Sequence, residues 1–156
     1  MPDYNDIDFG EYSIKNIKTF KGMEGMGGFN LTLYRGKTKV AIIINDDCGG
    51  CNMYHFCNGN GDYNREEREI FDAHVAKVIE DDFEPDDQFI DHLFNKTTND
   101  RRFKRLCKKQ TLFRIKGDAE GEYRVYNHIY DAGMKAHMEK QYGDKIIEVL
   151  NDQYAA

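Results

Sequence analysis

"FNLTLYRGKTKVAIII", residues 29–44, decides the fold of this chain. Phe29, Leu31 and Leu33 alternate with Asn30, Thr32 and Tyr34, the period of two expected of a strand with one buried face. "RGKT" turns the chain, and "KVAIII" brings it back as a β-branched strand. A hairpin with one apolar face needs partners. "EYSIKNIKTF" (11–20) supplies a preceding strand, with Tyr12, Ile14 and, after a break at Asn16, Ile17 as its apolar members. Between the two, "KGMEGMGG" (21–28) reads as a Gly/Met loop, with Met23 and Met26 as adaptable contacts.

Further along, the period changes. "NREEREIFDAHVAKVIEDDF" (64–83) sets Ile70, Phe71, Val75, Val78 and Ile79 at helical spacing. Asn64 can cap this helix, and Glu66, Glu67 and Glu69 suit its first turns. "EPDDQFIDHLFNKT" opens a second helix, with Pro85 in its first turn and Phe89, Ile90, Leu93 and Phe94 as the buried stripe. "NDRRFKRLCKKQ" (99–110) predicts a third, short and basic. "TLFRIKGDAEGEYRVYN" (111–127) predicts a second hairpin, turning within "GDAEG". Residues 128–151 read as a last helix, in which Gly133 and Gly143 each cost about 1 kcal/mol relative to Ala. Strands, helices, a hairpin and a helix give an α+β class: an antiparallel sheet of N-terminal strands plus a later hairpin, packed with three to four helices on one face. Whether the late hairpin joins the first sheet is open at this level. Residues 1–10 read as a flexible lead and 11–156 as a single α+β domain.

Hydrophobic residues make up 40% of the 156, and the net charge is −6. The charge argues against a general nucleic-acid binder but says nothing about local patches. The sequence carries no signal-peptide or transmembrane run, so a cytoplasmic location is expected. There, cysteines are reduced, metal-bound or buried rather than disulfide-linked.

"NDDCGGCNMYHFC" (45–57) holds three of the four cysteines. Cys48, Cys51, His55 and Cys57 have the spacing C-x2-C-x3-H-x-C, donors that suit zinc. Zinc is the one cofactor the residues suggest; otherwise none is expected. A redox pair at Cys48 and Cys51 would lack the helix N-terminus that stabilises a thiolate. The plainer reading is a Gly-Gly turn that closes a strand, with Cys51 and Cys57 as small buried residues. Cys107, beside Leu106, reads as core.

"LYRGKTKVAIIINDDCGGCNMYHF" resembles a signature of small uncharacterised proteins of phages and other mobile elements: strand, "DGK" turn, strand, "NDGHGGC", then an aromatic-His pair. The matching positions are Gly36, Lys37, Asn45, Asp46, Gly49, Gly50, Cys51, Tyr54 and His55. "FKRLCKKQTLFRIKGDAEGEY" resembles that family's basic helix running into a hairpin. Cys48 stands where the pattern has His, and Cys57 lies outside it. The resemblance implies a phage or mobile-element origin, host cytoplasm as the location, and no known reaction. It favours the turn reading over the metal reading.

Charge is polarised. Residues 80–91 carry seven acids and no base, and residues 101–116 eight bases and no acid. Two solvated helix faces that compensate each other would explain this, and opposed blocks also suit a homodimer. Functionally, Arg101, Arg102, Arg105, Lys108 and Lys109 can share one helical face that contacts phosphate or nucleic acid. The acidic block could mimic DNA in a host protein's groove. No P-loop, H-E-x-x-H or G-x-S-x-G motif is present, and nothing in the spacing singles out Asp46, Asp47 and His55 as a metal-dependent nuclease. His74, His92, His128 and His137 read as surface or core residues. The expected function is a non-enzymatic phage or mobile-element accessory protein that binds and inhibits a host factor, as of an antiviral defence system. The alternative is a nucleotide or nucleic-acid binder, or a zinc-stabilised domain. The candidate contacts are Asp46, Gly49, Gly50, Tyr54, His55 and the five basic residues, with a host protein as the first expected partner and no membrane.

Overall fold

The structure, a computed structural model, describes residues 6–22, 25 and 27–154. The chain divides into two compact units, Met1–Thr97 and Thr98–Ala156. Met23 and Met26 of the Gly/Met loop lie outside the described residues.

In the first unit, β1 (Tyr12–Phe20), β2 (Gly28–Arg35), β3 (Thr38–Asn45) and β4 (Met53–Phe56) form an antiparallel sheet in that order. The hairpin forms where the alternation places it: Phe29, Leu31 and Leu33 are buried, and Thr32, read onto the other face, is buried as well. The break at Asn16 is a bulge. Asn16 takes φ 54°, a left-handed conformation that asparagine tolerates, and the register slips between Lys15 and Lys18. The extra residue returns Ile17 to the face of Tyr12 and Ile14, where it packs on the core.

Two helices supply the other wall. In α1 (Arg65–Val78), the Asn64 side chain caps the first turn by accepting from the Glu67 amide at 3.2 Å. α2 (Pro85–Leu106) contributes Phe89, Ile90 and Leu93. Phe71 and Phe89 meet edge-on at 5.6 Å, and Tyr12 sets its ring against both. Ile7 and Phe9, within the stretch read as a flexible lead, pack on the same core, Phe9 at 5.5 Å from Phe89.

α2 is one helix where the sequence reading has two. The polar run where the two expected helices meet, "NKTTND", stays helical, and the Thr97 hydroxyl donates back to the Leu93 carbonyl at 2.7 Å. The helix begins in the first unit and ends in the second.

The late hairpin does not extend the first sheet. β5 (Thr111–Ile115) pairs with β6 (Arg124–Tyr126) on one side and β7 (Ile146–Val149) on the other, all antiparallel. β7 corrects the reading of 128–151 as one helix. α3 (Ala132–Tyr142) stops at Gly143, whose φ is 52°, and a 3-10 turn, Gly143–Lys145, leads into "IIEV", whose β-branched residues fit a strand. α4 (Leu150–Tyr154) follows. Its Asn151 is buried: it accepts from the Leu112 amide at 2.9 Å and donates to the Gln110 carbonyl at 2.8 Å. Cys107 is core, as expected, packed with Leu112 and Leu150. Among the described residues, no helix is long and apolar enough to cross a membrane.

Candidate functional site

Residues 46–52 join β3 to β4, and a chain of polar side chains fastens this loop at both sides. Asp47 is 3% exposed with φ 60°. Its amide donates to Asn45 Oδ1 at 2.9 Å, and its Oδ2 accepts from the Gly22 amide at 2.8 Å. Asn45 Nδ2 donates to Asn52 Oδ1 at 2.9 Å. The Asn52 amide then donates to Asp87 Oδ2 at 3.0 Å, and the Tyr54 hydroxyl donates to Asp87 Oδ1 at 2.6 Å. The loop is thereby tied to the β1–β2 connection and to the first turn of α2. Gly22 is required by this approach: a Cβ there would lie 2.6 Å from Asp47 Cβ and 2.7 Å from the Asp46 carbonyl oxygen.

The support extends below the loop. Burial, then Asp87, pushes the Tyr54 hydroxyl far above its ordinary pKa, so it stays a donor. Arg68 lies over the Tyr54 and Phe56 rings at 5.0 and 5.3 Å and pairs with Asp86 at 2.6 Å. Burial holds the Asp86 carboxyl up, against the pull of Arg68.

The tip is left to solvent. Cys48, Gly49, Gly50 and Cys51 are exposed, and no atom stands within 4 Å of where a Cβ on Gly49 or Gly50 would be. Asp46, also exposed, accepts from the Cys48 amide at 3.1 Å. Cys51 is therefore not the small buried residue of the turn reading. Asp47 and Asn52 take the buried positions of the loop, which leaves Cys51 outside. Cys57 is half-buried at a bridge to Tyr63. His55 is exposed on β4, opposite Ile42, on the face away from Tyr54 and Phe56. All four cysteines are free. Among the described residues, no three His, Cys, Asp or Glu side chains are placed to hold a metal. Asp46 raises the Cys48 thiol, the reverse of what a reactive thiolate needs.

The basic candidates form a separate group. Arg101, Arg102 and Arg105 are exposed on α2, and Lys108 and Lys109 on the turn after it. In the second unit, Tyr130, Lys135, Met138, Glu139 and Asp152 line a shallow pocket of about 220 Å³, below the usual size of a small-molecule site.

Sequence reasoning missed Gly22, Asn52 and Asp87 as members of the loop's support. Asp87 sits 35 residues from its partner Asn52, and nothing local announces that pairing. Comparison with protein-family models, with curated proteins and with solved structures gives no match.

Proposed function

We propose that this chain is a non-enzymatic accessory protein of a mobile element that binds a host protein, a defence factor by class, through the tip of the 46–51 loop and blocks it. The observation that supports this is an exposed tip held by a buried polar support. The β2–β3 connection needs only the two residues Gly36 and Lys37, whereas β3 and β4 are joined by seven. Burying Asp47 and Asn52 is costly unless their polar groups are bonded, and a hairpin does not require it. A loop fixed before contact loses little entropy on binding, which favours it as a docking element. The mobile-element origin rests on the resemblance carried by "LYRGKTKVAIIINDDCGGCNMYHF".

The test passes a host-cell lysate over the immobilised chain and over a Gly50→Arg variant. Gly50 has open space around it and no positive φ, so the arginine blocks the tip and leaves the fold intact. The expected result is one protein retained by the natural chain and lost by the variant, with its activity reduced by the free natural chain. Equal retention by both chains, or retention by neither, contradicts the proposal.

A further inference from the structure

The arginines of this chain divide into two sets. Arg35, Arg65, Arg68, Arg114 and Arg124 each pair with a carboxylate at 3.5 Å or less. Arg101, Arg102 and Arg105 make no ion pair among the described residues, and all three are exposed. Lys104, Lys108 and Lys109 stand exposed among them. Helical geometry explains the clustering. Phe103, Leu106 and Cys107 turn into the core of the second unit. At about 100° per residue, that leaves Lys104, Arg101, Arg105 and Arg102, in this angular order, on one continuous outward arc.

The net charge of −6 conceals this. By sequence, Met1–Thr97 holds ten Lys and Arg against nineteen Asp and Glu, while Thr98–Ala156 holds twelve against nine. The basic arc thus belongs to a unit that is itself positive.

We propose that this arc of α2 and the turn after it bind the phosphate backbone of duplex nucleic acid, a second contact surface independent of the loop. Three alternatives fit the residues less well. A membrane surface is held by a basic helix whose apolar face enters the lipid, but here that face is packed in the core. A protein interface is anchored by aromatic side chains, and a single strand by stacking on them; the aromatic of this segment, Phe103, is packed against Tyr123 and Tyr154. A phosphate ladder asks only for cations, and arginine meets it with two parallel hydrogen bonds. Arg101 and Arg105 stand about 6 Å apart along the helix axis, within reach of neighbouring phosphates.

The experiment measures fluorescence anisotropy of a labelled 20-base-pair DNA duplex titrated with the full chain from 50 to 200 mM salt. The same titration uses the variant R101Q/R102Q/R105Q, and vesicles containing an anionic lipid serve as a parallel probe. If about four phosphates are neutralised, log K falls with log salt at a slope of about −3.6, roughly a hundredfold over that range. The triple variant should lose at least tenfold in affinity at 50 mM salt, and its slope should flatten to about −1. Circular dichroism should leave it indistinguishable from the natural chain. Absence of duplex binding at 50 mM salt overturns the proposal. So does a folded triple variant that binds as the natural chain does, or tighter binding to vesicles than to duplex.

Discussion

The loop end of the first sheet and the basic arc of α2 are both polar, yet they treat their polar groups in opposite ways. At the loop, Asp47, Asn52, Tyr54 and Asp87 bond one another, Asn45 or the backbone, with the buried Asn52 Nδ2 alone lacking a partner among the described residues, and leave an exposed tip without charge of its own at Gly49 and Gly50. On α2, Arg101, Arg102 and Arg105 satisfy nothing within the described residues. The difference teaches which polar residues belong to the architecture and which are left for a partner. A buried, hydrogen-bonded group is costly to remove; an exposed, unpaired cation costs the fold nothing to lose.

The two regions respond differently to substitution, and the largest expected effect lies beneath the loop. Phe71 is fully buried, in ring contact with Tyr12, Tyr54, Phe56 and Phe89. Phe71→Ala should destabilise the chain by about 3–5 kcal/mol in urea unfolding. A smaller loss would mean that the support does not rest on this core. Gly22→Ala comes next. The added Cβ meets Asp47 Cβ and the Asp46 carbonyl, and overpacking of this kind costs about 1–3 kcal/mol. Thermal unfolding within a degree of the natural chain would show that the two loops are not locked together.

The smallest effect is that of alkaline pH. Burial pushes Tyr12 up from 10.0 to about 12, and its buried hydroxyl has no hydrogen-bond partner among the described residues. Between pH 10 and 12 the unfolded chain therefore releases this proton while the folded chain keeps it. The unfolded state then binds fewer protons, so stability falls as pH rises through that window. Tyr12→Phe should flatten the decline in a series of denaturant midpoints, and an unchanged decline would assign it to other groups.

Much of the first unit was legible in the sequence because its signals are local. The alternation from Phe29 to Leu33, the break at Asn16 and the cap at Asn64 each act within a few residues, and each stands as read. The second unit was harder. "IIEV" at 146–149 follows a helical stretch whose stop, Gly143, reads by sequence as only a weak point within one helix, and its strand state depends on pairing with β5, more than thirty residues earlier. The loop was half legible. Cysteine spacing drew attention to the right segment, but burial went to Asp47 and Asn52, whose partners Gly22 and Asp87 are distant in sequence. The basic block was visible as composition, yet its lack of ion pairs among the described residues emerges only once the chain is folded.

The most direct test of this division compares urea unfolding of Asp87→Ala with that of R101Q/R102Q/R105Q. Asp87 accepts from both the Asn52 amide and the Tyr54 hydroxyl. Its loss leaves two donors unbonded and should cost about 2–4 kcal/mol. Removing three exposed cations should change stability by no more than about 0.5 kcal/mol in either direction. A triple variant as destabilised as Asp87→Ala would make the basic arc part of the architecture and contradict the account.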